Sequence, residues 1–309
     1  MNNRVCAVVV TYNPSEEVEG LIGTLTSQCD QIVVVDNASK QEGRRRIEDA
    51  CESHGAALIA LEDNTGIAHA QNVGIEYARE CGCGLVLLSD DDSLPPPNMV
   101  SDLVAALRRA QCEGRVAAVG PLVGELKPGG DQLVYVARRW GPRRAAPHEL
   151  ERPLLAVPFL IASGCLIDLA AIDDIGMMND ALFIDHVDLE WGLRARALGW
   201  SLICATGVHM GHSLGDETVR IPGRKQPVHL HGPVRNYYLS RNTLLLMRSG
   251  FLGVPWTLGY GIWLMKYCTF NTLFAPPRRE RITMIARGIL DACRGRTGPL
   301  GVPPVGPGQ

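Results

Sequence analysis

The 309-residue chain predicts an α/β fold: a mostly parallel central sheet with helices on both faces, followed by a helical C-terminal region. Three observations carry that prediction. Apolar, β-branched runs alternate with helix-like segments five times within the first 120 residues, the rhythm of parallel strands joined by helical crossovers. The runs are apolar without a break, as strands covered on both faces are. Four of them end in polar clusters, which places a ligand rim beyond the carboxyl ends of the strands.

Residues 5–10 are a short β-rich run and form the first strand. Thr11-Tyr12-Asn13-Pro14 breaks it, and Ser15 followed by acids starts a helix running to about Ser27. Residues 31–35 are the second strand, ending in Asp36-Asn37-Ala38-Ser39. A charged helix over residues 42–53 leads to a third strand at 56–61. Asn64-Thr65-Gly66 then opens a helix that ends near Gly82. The fourth apolar run, from Leu85, ends in Asp90-Asp91-Asp92; Pro95-Pro96-Pro97 begins a helix reaching about Cys112, and residues 116–120 are one more strand.

Residues 120–153 are rich in Gly, Pro and Arg and read as a hairpin or a surface loop, in which Arg138, Arg139, Arg143 and Arg144 are first read as solvated and, as the alternative, approach phosphate or lipid headgroups. Residues 158–167 are strand-like, with a break at Ser163-Gly164 where a ligand or backbone comes close. After Ile184 the pattern becomes helical, with Val187, Trp191 and Leu198 on one side and Glu190–Arg194 as a surface ion pair. Residues 200–205 are a strand, followed by His209 and His212 in a Gly-rich loop.

The three consecutive acids are the chemical centre of the sequence. Adjacent carboxylates repel unless a positive charge stands between them. A divalent cation held through oxygen suits that need and leaves positions for substrate phosphates. Strand alternation sends Asp90 and Asp92 one way and Asp91 the other, so Asp90-x-Asp92 reads as a metal clip for a diphosphate, the alternative being a solvated acidic turn. Asp185, at a helix start, is either a cap or a site residue, and Asp188 falls on nearly the same face. One of the two histidines is a candidate third metal ligand.

Other chemistries are excluded. There is no G-x-G-x-x-G after the first strand and no G-x-x-x-x-G-K-[ST] anywhere, which removes the NAD and P-loop motifs. A net charge of −3 with both signs interspersed argues against nucleic acid as a partner. The ten cysteines form no C-x-x-C pair, and no targeting segment precedes the first strand, so reduced thiols in a cytoplasm are expected.

Past residue 230, Arg235 and Arg241, with Tyr237 and Tyr238 between them, begin a helix that either meets a phosphate-bearing acceptor or carries surface cations. Residues 251–274 are apolar and aromatic but interrupted by Pro255, glycines and Lys266, so they are a poor membrane span. They read as an interfacial helix followed by the basic run from Arg278, or as packing against the rest of the chain or a second subunit. Residues 295–309 are Gly/Pro-rich and expected to be disordered.

Several motifs in the same order resemble the family 2 inverting glycosyltransferases: Val9 to Pro14, Val35 to Ser39, Asn64 to Gly74 and the acids at 90–92. Phe183 to Trp191, His212 to Asp216 and Arg235 to Asn242 are similar to the bacterial rhamnosyltransferase branch. The resemblance implies a GT-A fold with a Rossmann-like sheet, a catalytic domain over residues 1–230 (nucleotide-sugar half 1–120, acceptor half 121–230) and a helical region at 231–294. It implies a nucleotide-sugar donor, dTDP-L-rhamnose first and UDP- or GDP-linked sugars as alternatives, and a cell-surface glycan or glycolipid acceptor. Thr11, Tyr12, Asn13, Asp36, Asn37, Asn64, Gly66, Asn72, Asp90 and Asp91 are then the donor-binding residues. Asp90, Asp92 and His212 hold Mg²⁺ or Mn²⁺, while Ser163, Gly164, Trp191, Arg235 and Arg241 are acceptor or phosphate contacts. Many relatives carry Glu-Asp where this chain has Asp185-His186, which leaves Asp185, Asp188 or His186 as the base, with Asp185 the first choice. A site at the inner face of the plasma membrane and a homo-oligomer are compatible expectations. A nucleotidyltransferase, which would show a Gly-rich basic loop after the first strand, and a non-catalytic nucleotide-sugar binder are the rival readings.

Overall fold

The computed structural model describes residues 2–124, 134–211, 217–219 and 228–301. The chain divides into two compact units, one of Met1–Arg138, Pro142–Phe183 and Val187–Ser213, the other of Arg139–Gly141, Ile184–His186 and Leu214–Gln309.

The first unit begins β1 (Val5–Thr11), α1 (Glu17–Thr26), β2 (Gln31–Asp36), α2 (Gln41–His54), β3 (Ala57–Ala60), α3 (Ile67–Glu80) and β4 (Leu85–Asp90). There follow α4 (Met99–Gln111), β5 (Val116–Gly124), β6 (Tyr135–Arg138), β7 (Gly141–Arg144, whose first residue belongs to the second unit), α5 (Pro147–Leu150) and β8 (Leu154–Val157). Its last elements are β9 (Cys165–Asp168), α6 (Leu169–Ile175), a 3-10 turn (Asp180–Leu182), α7 (Val187–Ala197) and β10 (Ser201–Gly211). Eight strands form one sheet in the order β3-β2-β1-β4-β9-β5-β10-β8, and β6 and β7 pair separately. β1 to β4 are parallel, as are β5 and β10; β9 lies antiparallel between β4 and β5, and β8 is an antiparallel edge.

Double-sided burial explains the unbroken apolar runs. Val5, Ala7 and Val9 enter a core with Leu21, Leu25, Leu103 and Leu107, while Cys6 and Val8 are equally inaccessible. A Cβ on Gly74 would stand 2.2 Å from Val8 Cγ1, so α3 lies against β1 at a separation that only glycine permits. All ten cysteines are free thiols.

Three expectations are corrected here. Residues 158–167 do not form one strand: Gly164, at φ 78°, closes a turn in which Cys165 N–H reaches Ala162 O, and the strand begins only at Cys165. Leu198 lies past the end of α7 and is exposed, whereas Val187 and Trp191 are buried. The Glu190–Arg194 pair forms, but inside the unit, because Arg194 also donates to the carbonyls of Ile175 and Met177.

The second unit contains β11 (Glu217–Val219) paired antiparallel with β12 (Val228–Leu230), then α8 (Pro233–Arg248), α9 (Val254–Leu273) and α10 (Arg278–Cys293). α10 approaches α8 closely at Gly288, where a Cβ would lie 2.4 Å from Tyr237 O. A polar seam is sealed between these helices. Arg281 donates to Asn236 Oδ1 at 2.8 Å and Asn271 Oδ1 at 3.2 Å, and Tyr237 Oη donates to Asp291 at 2.9 Å. The segment expected to be disordered from residue 295 is ordered through Gly301: Gly298 O accepts from Arg241, and Leu300 N–H donates to Tyr238 Oη. The remaining eight residues of that expectation, 302–309, lie outside the described residues. Among the described residues, no helix is long and apolar enough to cross a membrane.

Candidate active site

The parallel register sets the site. Thr11 is level with Asp36 across β1 and β2, and Val10 is level with Asp90 across β1 and β4, so three strands deliver their last residues to one rim. Asp36 is wholly buried there; it accepts from Thr11 Oγ1 at 3.3 Å and from Ser39 N–H at 3.3 Å. Asn13, at φ 52°, ties the first two loops together, its N–H donating to Ser39 Oγ and its Oδ1 accepting from Lys40 N–H. Asn37 binds the third loop: its Nδ2 donates to Asn64 Oδ1 at 3.1 Å and its Oδ1 accepts from Thr65 N–H at 2.9 Å. Gly66, at φ 90°, is backed by Phe183. Tyr12 stands above this floor, 52% exposed. Its exposed ring is an apolar surface on which a planar ligand could stack.

At β4 the strand stops at Asp90, so alternation does not continue through the acids as the sequence suggested. Asp91 turns back and accepts Tyr12 N–H at 3.3 Å. Burial pushes its carboxyl up to about 6 against that hydrogen bond, with Asp92 and Asp90 adding to the rise. Ser163 Oγ donates to Asp90 Oδ2. Beside it, Ala162 N–H donates to Asp188 Oδ2 at 3.0 Å. Burial raises the Asp188 carboxyl to about 7, helped by the charge on Asp90 and opposed by the Ala162 N–H. The 158–164 loop thus joins Asp90, at the end of β4, to Asp188, in the first turn of α7.

Asp185 is not part of the helix that carries Asp188. Phe183, Asp185 and His186 all have positive φ, at 66°, 66° and 64°, so the helix starts only at Val187 and the shared face expected for Asp185 and Asp188 does not exist. Within the second unit, α8 fixes residues 184–186. Arg235 donates through Nε and Nη2 to the two oxygens of Asp185, at 2.7 and 2.5 Å. Asn242 Nδ2 donates to the carbonyls of Ile184 and Asp185 at 2.7 and 2.9 Å, and His186 Nε2 pairs with Thr243 Oγ1 at 2.8 Å. Burial lowers the His186 pKa, with Arg235 reinforcing and Asp185 opposing the shift. Sequence reasoning missed Asn242 and Thr243, although Arg235, Asn242 and Thr243 recur at i, i+7 and i+8, one face of a helix.

Several residues expected to make contacts are engaged within the protein. Trp191 is buried with Nε1 donating to Gly176 O. Arg241 has no accessible surface and lies 5.0 Å above the Tyr238 ring, its guanidinium spent on Asn242 and Gly298. Asn72 is engaged by Met178 and Asp180. Gly164 makes the turn rather than a contact, since a Cβ there would meet Pro121 at 2.9 Å. His212 lies outside the described residues. Among the described residues no three His, Cys, Asp or Glu side chains are grouped to hold a metal ion. The carboxylates of residues 90–92, all oxygen ligands, still suit a hard cation whose other ligands are phosphate and water.

Solved structures share this architecture. GalNAc-T7 with UDP, GalNAc and Mn²⁺ superposes with a TM-score of 0.58 at 14% identity, over 89% of this chain and 58% of that longer one. The mannosyltransferase PcManGT of Pyrobaculum calidifontis, in complex with GDP-Man and Mn²⁺, gives 0.55 at 18% identity, over 95% and 76%. The fold, a mostly parallel central sheet with helices on its faces, is that of a GT-A glycosyltransferase. Residues 6–176 match the profile described as glycosyl transferase family 2, and the chain belongs to that family. Over 310 aligned residues it is 30% identical to the dTDP-rhamnosyl transferase RfbF of Shigella flexneri, spanning 96% of this chain and 98% of that one.

Proposed function

We propose that this glycosyltransferase moves L-rhamnose from dTDP-L-rhamnose, with inversion, to a hydroxyl of a cell-surface glycan or glycolipid. The observation that carries the reading is similarity along nearly the whole chain to a dTDP-rhamnosyl transferase. The nucleoside lies on the rim of Thr11, Tyr12, Asn13, Asn37, Asn64 and Gly66, with Tyr12 across the base. Asp36, being buried, holds the loop beneath it through Ser39 N–H.

Asp90 and Asp92 are the residues that would hold Mg²⁺ or Mn²⁺, with His212 the further ligand the sequence suggests. When bound, such an ion offsets the negative charge that develops on a departing diphosphate. Asp188 takes the proton of the attacking hydroxyl. Its Oδ2 is fixed by Ala162 N–H, and the next residue of the same loop, Ser163, bonds Asp90. A positioned carboxylate base contributes about 10²–10⁴-fold. Asp185, both of whose oxygens are held by Arg235, is a positioning residue rather than the base.

The test is a donor panel of dTDP-L-rhamnose, UDP-GalNAc and GDP-mannose, each with Mg²⁺ or Mn²⁺, followed by release of the nucleoside diphosphate. Turnover confined to the dTDP sugar is expected. Preference for either other donor overturns the assignment of the sugar.

A further inference from the structure

Ten of the fifteen exposed large apolar side chains among the described residues lie on α9, on α10 or at the Phe274 junction between them. On α9, Val254, Leu258, Ile262, Met265 and Leu273 follow at steps of four, four, three and eight residues, which places them on one face. The stripe runs the length of a 20-residue helix, about 30 Å at 1.5 Å per residue. Val254 is 73% exposed, Met265 61% and Phe274 66%, so the face is bare rather than grazed.

Charge decides what fits it. α9 carries no carboxylate, and its single charge, Lys266, is exposed beside the stripe. Arg278 and Arg279, both exposed, follow Phe274 after Ala275-Pro276-Pro277, and Arg287 is exposed further along α10. Residues 254–296 hold seven Lys or Arg against Glu280 and Asp291, a net +5 in a chain whose total is −3. A second copy of the same face would bring the same excess of cations against it. An anionic lipid surface brings the opposite sign, along with a layer in which apolar and aromatic groups such as Trp263 and Phe274 can be buried without crossing.

We infer that the α9 stripe, with Phe274, Arg278 and Arg279, seats the protein flat on an anionic bilayer surface. The inference stands apart from the choice of sugar and uses no residue of the donor rim. The full chain is floated with phosphatidylcholine vesicles, with or without phosphatidylglycerol. Binding only to the anionic vesicles, weakened by salt, is expected. Leu258→Glu with Ile262→Glu should abolish it, and Arg278→Glu with Arg279→Glu should weaken it at least about tenfold. All four positions are solvent-facing, and thermal melting matched to wild type accompanies each variant; donor cleavage without acceptor should be unchanged. Absence of vesicle binding, equal binding to neutral vesicles, or a dimer that the Leu258→Glu pair dissociates in the absence of lipid overturns the inference.

Discussion

Arg235 holds Asp185 by a two-pronged guanidinium–carboxylate pair, 2.7 and 2.5 Å long, in a stretch where Asp185 and His186 both have left-handed backbone. Non-glycine residues resist that conformation. The pair, with the Asn242 and Thr243 bonds beside it, supplies what keeps residues 184–186 in place.

Arg235→Lys should therefore be harmful although the charge is retained, because an ammonium cannot reproduce the fork. A loss of about 2 kcal/mol in urea unfolding is expected. Asp185→Asn should cost a similar amount, and the double variant should cost less than the sum. Strict additivity would show that the two side chains are not coupled.

Asp188→Asn should lower kcat by about 10²–10⁴-fold while the affinity for donor changes little. Asp185→Asn is expected to retain more activity than Asp188→Asn. Single-turnover transfer with each purified variant makes the comparison, and the reverse ranking would return the base to Asp185.

Mn²⁺ together with dTDP should raise the melting temperature, by linkage to the folded state. Asp90→Asn with Asp92→Asn should remove the increment, and EDTA should stop transfer. A melting temperature indifferent to the ion in the wild type would discard the metal clip.

His186 gives a pH signature. Its pKa is lowered on folding by burial, so the unfolded chain takes up a proton as pH falls through about 6.5 while the folded chain declines it. Stability should fall as the solution is acidified below that point and be unaffected by this group above it. His186→Gln should flatten the acid limb in melts across the range, and an unchanged slope would exclude His186 as its source.

Gly66→Ala combines a φ of 90° with a Cβ placed 2.4 Å from Phe183 O. A loss of about 3 kcal/mol or more is expected, measured by denaturant unfolding. Gly55→Ala, also at positive φ but with nothing near its Cβ, is the milder control.

The parallel half of the sheet was legible because its signals are local: apolar runs, the breaks at Asn13-Pro14 and Asn64-Thr65-Gly66, and prolines before α4. The acids at 90–92 also stood out, and so did Ser163, singled out as an acceptor or phosphate contact, which in the structure donates to Asp90. The non-helical backbone at Asp185 and His186 was not legible, because it depends on angles that helical periodicity cannot register and that α8 holds from 50 residues away in sequence. Arg241 and Trp191 misled for a related reason. Polar and aromatic residue types announce that a side chain needs partners, yet not whether those partners are a ligand or, as here, Gly298 O and Gly176 O.

The place of β9 in the sheet sets an order of events during synthesis. β1 to β4 are adjacent through residue 90 and can pair as they emerge. β5 cannot, because both of its neighbours, β9 and β10, are encoded downstream. The 41 residues from Gly124 to Cys165 take roughly 2–8 s to add at translation rates of about 5–20 residues per second. Through that interval a nine-residue apolar strand waits without a partner, which makes β5 the segment of the nascent chain most in need of chaperone cover.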